Sequence, residues 1–230
     1  MHLDAPGRLF CVATPIGNLG DITLRALETL RSVHTIACED TRTTGRLLAL
    51  LEIPRPRLVS YHDHNESRRV GQIVALLEQG NDVALVSDAG TPTISDPGYR
   101  VVSRCAEEGI EVIPIPGPCA AIAALCASGL PTDRFLFLGF PAKKGAKLQR
   151  FMAQALEPQR TAVVYLPMRR LQGFLEDVMG RAPETQVVVS RELTKAHEQL
   201  VRGTVGDVLT GIAEIPQKGE CTLLLYNPES

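Results

Sequence analysis

Five short apolar runs recur through the first half of this sequence, at residues 9–13, 35–38, 58–60, 83–87 and 112–115. Helix-like stretches lie between them, at 23–30, 43–51, 66–78 and 97–108. The runs are continuous rather than alternating, so both faces of each strand should be buried, as in a parallel sheet covered by helices. Asn65 is placed to cap the third helix, and Asp96 before Pro97 puts an N-cap ahead of a proline at the first helical position of the fourth. The pattern predicts an α/β fold.

Residues 114–118 read Pro-Ile-Pro-Gly-Pro, a break that serves as a domain boundary. The expected organisation is an N-terminal α/β domain over 1–117 and a C-terminal α/β domain over 118–230. The second opens with an Ala-rich helix at 119–127. Strand-like runs follow at 135–139, 162–166, 187–190 and 222–226, separated by helical patterns at 146–156, 171–179 and 205–212. A parallel sheet in the first domain, a mixed sheet in the second and a cleft between them are the expectation.

Hydrophobic residues make up 44% of the 230 positions and charged residues 22%, enough for a substantial core. No apolar run approaches the ~20 residues of a membrane span, and residues 1–8 lack the basic-then-apolar order of a secretory signal. Six cysteines are scattered without a C-x-x-C and read as reduced core thiols. A cytoplasmic location follows. The net charge of −2 divides unevenly, −4 over residues 1–117 and +2 over 118–230. Between 134 and 175 eight basic residues, Arg134, Lys143, Lys144, Lys147, Arg150, Arg160, Arg169 and Arg170, stand against the single acid Glu157. Such a concentration suits phosphate contacts, although a solvated helix face would look the same.

Two loops are rich in small residues. The turn 14–21, Thr-Pro-Ile-Gly-Asn-Leu-Gly-Asp, directly follows the first strand, where open α/β sheets bind ligands. The segment 87–98, Ser-Asp-Ala-Gly-Thr-Pro-Thr-Ile-Ser-Asp-Pro-Gly, follows the fourth strand and exceeds the ~2–6 residues of an ordinary connection. Asp88, Thr91 and Ser95 offer hydrogen bonds to a polar small molecule, and Ala89 and Gly90 leave room for backbone approach. Neither G-x-G-x-x-G nor G-x-x-x-x-G-K-[ST] is present. The cluster His62-Asp63-His64-Asn65-Glu66 lacks a third well-spaced ligand, and no metal is expected. No serine sits in a G-x-S-x-G setting.

Taken together, these segments resemble the tetrapyrrole methylase superfamily. Within it they are most similar to the bacterial branch that methylates a cytidine 2′-hydroxyl in small-subunit ribosomal RNA. The matching stretches are VATPIGNLGDITLRALETL from Val12, IACEDTRTT from Ile36, SYHDHNE from Ser60 and VALVSDAGTPTISDPGY from Val83. PIPGPCAAIAALCASGLPTDRFLFLGF from Pro114 and KKGAK from Lys143 continue it. Beyond Arg150 it thins to ELTKAHEQLVRGT from Glu192 and KGE from Lys218.

The resemblance implies a two-domain homodimer that holds S-adenosylmethionine between its domains and acts on 16S ribosomal RNA in the assembled small subunit. Carried over residue by residue, it gives Pro15, Asp88, Ala89, Gly90, Thr91, Ile94, Cys119 and Ala120 as cofactor neighbours, with Leu166 and Leu193 on the adenine side. The stretch with Arg134, Lys143, Lys144, Lys147, Arg150, Arg169 and Arg170 becomes the RNA-holding surface. A ribose hydroxyl is a weak nucleophile and gains from a base or cation, for which Lys195, Glu198 and Asp40 are candidates. Two departures stand out. Tyr165-Leu166-Pro167-Met168-Arg169-Arg170 replaces the family's usual Tyr-Glu-Ser-Pro-His-Arg, and the sequence stops at Ser230 where many members continue into a helical tail. A tetrapyrrole-type small-molecule methyltransferase and a non-catalytic RNA-binding assembly factor are the alternatives. The first has no need of the basic stretch.

Overall fold

The computed structural model describes residues 5–54 and 56–228. The chain divides into two compact units, Met1–Cys119 and Ala120–Ser230.

In the first unit the elements alternate as the sequence pattern predicts: β1 (Leu9–Val12), α1 (Leu24–Ser32), β2 (Thr35–Cys38), α2 (Thr41–Leu50), β3 (Arg57–Ser60), α3 (Glu66–Glu78), β4 (Val83–Val86), α4 (Tyr99–Glu107) and β5 (Val112–Ile115). The strands form one sheet of order β3-β2-β4-β1-β5, every pair parallel. All four residues of β2 and of β4 are buried, which is why those runs are apolar without alternation. One face packs Ile36, Cys38, Ala84 and Val86 against α1 and α2 through Ala26, Leu30 and Leu48. The other packs Ala37, Val83 and Leu85 against α3 and α4 through Ile73, Leu77, Val101 and Cys105. The cysteines among the described residues are free, and burial drives the thiols of Cys11 and Cys105 up to about 11.

Two capping expectations fail. Asn65 precedes α3, but in αR conformation its side chain makes no cap. Its Oδ1 accepts from the His62 N–H and its Nδ2 donates to the Ser60 carbonyl, closing the turn after β3. α4 starts at Tyr99, after Gly98 at φ +141°, so Asp96 and Pro97 belong to the preceding loop. A Cβ on Gly98 would lie 2.8 Å from Thr93 Cγ2 and 2.9 Å from Leu85 Cδ2. The close packing and the left-handed backbone both require glycine here, and together they set where the helix begins.

The second unit contains α5 (Ala120–Ser128), β6 (Phe135–Gly139), α6 (Ala146–Ala155), β7 (Thr161–Pro167), α7 (Leu171–Met179), β8 (Gln186–Arg191), β9 (Gln199–Thr204), α8 (Val205–Thr210) and β10 (Glu220–Tyr226). Its sheet has the order β6-β7-β10-β8-β9, with β6–β7 parallel and the other pairs antiparallel, a mixed sheet as expected. β9 was not legible in the sequence. It is an edge strand with no buried residue and carries Arg202 and Gly203, so it lacks an apolar signature.

The main core of this unit lies under α6, α7 and α8, where Val164, Leu166, Val189, Leu223 and Leu225 meet Met152, Leu171, Phe174, Leu175 and Val208. Alternation turns Val163, Tyr165, Val188, Thr222 and Leu224 to the opposite face. There α5 is held at both ends. Its Ala121 N–H donates to the Tyr165 hydroxyl at 3.3 Å. At the far end, Arg202 donates to the carbonyls of Ala127 and Ser128 at 2.6 and 3.1 Å. A guanidinium on the last carbonyls also meets the negative end of the helix dipole.

Candidate active site

In a parallel sheet the backbone groups and following loops at the carboxyl ends of the strands are left open to a ligand, most of all where neighbouring strands send their helices to opposite faces. β1 leads to α1 on one face, and its neighbour β4 leads to α4 on the other. The two small-residue loops follow these two strands, and they are joined. Thr14 N–H donates to Gly90 O at 2.9 Å, and Gly90 N–H donates to Thr14 O at 3.0 Å. Gly90 reaches this geometry at φ +83°. The Thr91 hydroxyl donates to Pro118 O at 3.0 Å, tying in the segment after β5. Thr93 and Ser95 hold φ of +73° and +64°, strained values for residues with a Cβ, so the loop has a defined and costly shape.

A third loop joins from β2. The Asp88 carboxylate accepts the Asp40 N–H at 3.1 Å, and the Asp88 N–H in turn bonds the Glu39 carboxyl. Burial raises the Glu39 carboxyl above the ordinary carboxylate range, and the charges of Asp88, Asp96 and Asp63 push the same way. Asp88 is raised too, by partial desolvation; the Asp40 N–H that it accepts opposes the rise, and the Asp40 charge adds to it. Asp40 goes the other way. It caps α2, and its carboxylate takes Arg42 Nε at 3.1 Å and Nη2 at 2.6 Å, which holds it well below its usual range. Of the pair, Glu39 is therefore the more basic group, because the Asp40 carboxylate is engaged as the N-cap of α2 and by Arg42.

Over residues 8–209 the chain matches the family described as Tetrapyrrole (Corrin/Porphyrin) Methylases. It is 49% identical over 220 residues to the Ribosomal RNA small subunit methyltransferase I of Synechocystis sp., covering 95% of this chain and 78% of that protein. The protein of the same name from Escherichia coli O157:H7 is 48% identical, with 96% and 78% covered. That of Thermotoga maritima is 41% identical, and the match covers 97% of this chain and all of that protein.

This chain is a member of the tetrapyrrole methylase family.

The fold agrees with that membership. The uroporphyrin-III-C-methyltransferase of Thermus thermophilus superposes with a TM-score of 0.66 at 23% identity, covering 96% of this chain and 95% of that one. A cobalt precorrin-4 methyltransferase gives 0.65 at 19%, with 95% and 94% covered. Membership makes the chain a methylase and implies a methyl donor. Of the residues that the family resemblance carried over, Pro15, Asp88, Ala89, Gly90, Thr91 and Ile94 lie on the stitched loops of the first unit, with Asp88, Ala89 and Ile94 exposed. Cys119 is half-buried at the end of the first unit, and Ala120 opens the second.

In the second unit the matches separate by environment. The Leu166 side chain is shut inside the main core at 0% exposure, so only its backbone can meet a ligand. Leu193 is half-buried in the β8–β9 loop, where Glu192 and Thr194 hold φ of +48° and +65°. Lys195 and Glu198 sit on the same loop and bond within it: Lys195 Nζ lies 3.1 Å from Glu192 Oε1, and the Glu198 carboxylate accepts the Thr194 N–H. Both help to shape the loop that carries Leu193.

The basic stretch also divides. Arg170 donates to the carbonyls of Pro141 and Ala142 at 2.9 and 2.8 Å, so its guanidinium anchors the β6–α6 loop. The Arg160 guanidinium pairs with Glu157. Arg134, Lys143, Lys144, Lys147, Arg150 and Arg169 are exposed. Among the described residues no group of three or more His, Cys, Asp or Glu converges on a point, and no helix is long and apolar enough to cross a membrane.

Proposed function

We propose that the chain transfers a methyl group from S-adenosylmethionine to the 2′-hydroxyl of a cytidine ribose in 16S RNA of the small ribosomal subunit. The observation that carries this reading is the Thr14–Gly90 bridge between the two small-residue loops. It stands in a chain 41–49% identical, over nearly its whole length, to relatives named for ribosomal RNA methylation.

The residues present fit such a donor. A glycine in the left-handed region brings main chain to the rim, Ala89 and Gly90 add no bulk, and the carboxylates of Asp88 and Glu39 suit a ligand that carries ammonium and sulfonium charge. Within the first unit, Pro15, Asp88, Ala89, Gly90, Thr91, Ile94 and Cys119 would hold it. When bound, S-adenosylmethionine supplies an electrophilic methyl on a positively charged sulfur. The protein's task is to hold the ribose oxygen in line at ~3–3.5 Å from that carbon, and placement of this kind accounts for several kcal/mol of barrier. Glu39 accepts the hydroxyl proton, its raised basicity suiting it to the work. Lys143, Lys144, Lys147, Arg150, Arg134 and Arg169 hold RNA phosphates. The same reading places the protein in the cytoplasm, as a homodimer.

The test is transfer of label from radioactive S-adenosylmethionine to small subunits of a strain lacking the enzyme, with cofactor binding followed by calorimetry. A labelled 2′-O-methylcytidine is the expected product. Label on another nucleotide overturns the assignment of the acceptor, and absence of cofactor binding overturns the whole reading.

A further inference from the structure

Beside the candidate active site, on the first unit, α2 and β3 enclose a groove of about 330 Å³ lined by Thr41, Arg42, Gly45, Arg46, Ala49 and Leu58, among others. Its size falls at the lower end of the ~300–1,000 Å³ usual for small-molecule sites. Three features of α2 run against the helix's own stability. Arg42 stands in the first turn, where the dipole disfavours a cation. Arg46 follows at i+4 as a like charge, on a helix with no acidic residue. Among the described residues no carboxylate forms an ion pair with Arg46, and only the cap residue Asp40 pairs with Arg42, whose side chain is still 90% exposed.

Gly45 is the third. A glycine inside a helix costs about 1 kcal/mol relative to alanine. Packing does not demand it here, because a Cβ would meet only Leu58 Cδ1, at an ordinary 3.8 Å. What the missing side chain does is keep the groove open where Arg42 and Arg46 also line it. Apolar walls with an arginine rim match one class of ligand well, an unstacked RNA base whose flanking phosphates meet the guanidinium groups.

We infer that the α2–β3 groove binds a nucleotide of the substrate RNA close to the methylated one. This inference rests on the RNA-methylation reading. The groove starts at Thr41, next to Asp40, whose N–H is bonded to Asp88, so a strand lying in it leads directly to the loop rim.

The experiment compares the wild-type protein with Arg46→Glu, Gly45→Leu and Gly45→Ala. It measures affinity for purified small ribosomal subunits across a salt series, S-adenosylmethionine affinity by calorimetry, thermal stability and sedimentation. Arg46→Glu should weaken subunit binding at least tenfold and flatten its salt dependence by about one charge or more. Gly45→Leu should weaken it similarly while leaving the salt slope intact, because it fills the floor without touching charge. Gly45→Ala should fold more stably than the wild type, which shows that the glycine is not kept for the fold. S-adenosylmethionine affinity should stay unchanged in all three. Subunit affinity within twofold of wild type for both Arg46→Glu and Gly45→Leu overturns the inference. So does a change in sedimentation, which would make the groove a contact between copies of this chain. If the wild-type protein itself fails to bind subunits, the functional reading falls and this inference with it, a result told apart because it appears before any variant is compared.

Discussion

Thr14 and Gly90 exchange both their backbone hydrogen bonds, at 2.9 and 3.0 Å, across the carboxyl ends of two neighbouring parallel strands. The bridge needs Gly90 at φ +83°, and a Cβ there would also press to 3.3 Å from Ile16 Cγ2. The left-handed conformation costs roughly 1–2 kcal/mol for a residue with a Cβ. Gly90→Ala should therefore weaken S-adenosylmethionine binding by about tenfold, since ~1.4 kcal/mol is a factor of ten. Calorimetry reads this directly, and an unchanged affinity would separate the bridge from the ligand site.

Glu39 should show opposite effects on stability and activity. Its folded pKa lies above the unfolded value because of burial and the charges of Asp88, Asp96 and Asp63. The ionised form therefore weighs against the folded state once the pH exceeds the unfolded value, and protonation relieves that cost. Glu39→Gln should raise the melting temperature at neutral pH while lowering kcat by ~10²–10⁴, the usual contribution of a general base. It should also remove the acid limb of the rate profile. A variant with full activity would exclude Glu39 from proton transfer.

For Asp40 the sign is reversed. Arg42 and the start of α2 hold its folded pKa well below the unfolded value. Its stabilising contribution is complete above the unfolded pKa of about 3.9 and fades as the pH falls through the folded value. Asp40→Asn keeps a side-chain cap but removes the charge. Its melting temperature should lie below the wild type near pH 7, and the two curves should converge as the pH is lowered below about 3. Parallel curves would show that the ion pair with Arg42 contributes nothing.

The two bonds from Arg202 to the last carbonyls of α5 make a comparable structural prediction. Arg202→Met preserves the stem and removes the guanidinium. A loss of about 1–2 kcal/mol in urea unfolding is expected, from the hydrogen bonds and the helix-end charge together.

Arg170 and Lys147 were indistinguishable as members of one basic stretch, yet they should behave differently. Arg170→Ala leaves the carbonyls of Pro141 and Ala142 without their partner and should cost about 1–3 kcal/mol, with faster hydrogen exchange through the β6–α6 loop. Lys147→Gln, at an exposed position, should change stability by no more than ~0.5 kcal/mol. Its effect should appear as weaker, less salt-sensitive binding to small subunits.

The sequence by itself determined the class of fold, because a strand buried on both faces must be apolar along its length, and β2 and β4 are. It also marked the two small-residue loops that the Thr14–Gly90 bridge joins, since small residues after a parallel strand stand out in the sequence. Edge strand β9 escaped because nothing buries it. Asn65 and Asp96 do not cap helices, because a side chain suited to capping serves equally well in a turn, and its neighbours in space decide which. The same holds for chemistry. Glu39 and Asp40 are adjacent carboxylates, and Arg170 stands beside Arg169. Asp40 is settled locally, as the N-cap of α2 paired with Arg42 two residues on, whereas the tertiary structure leaves Glu39 among other acids and draws Arg170 onto two carbonyls. Residue type and spacing set where strands, helices and loops form. Partners distant along the chain set the charge state and availability of each side chain, through burial, Coulomb interaction and hydrogen bonding.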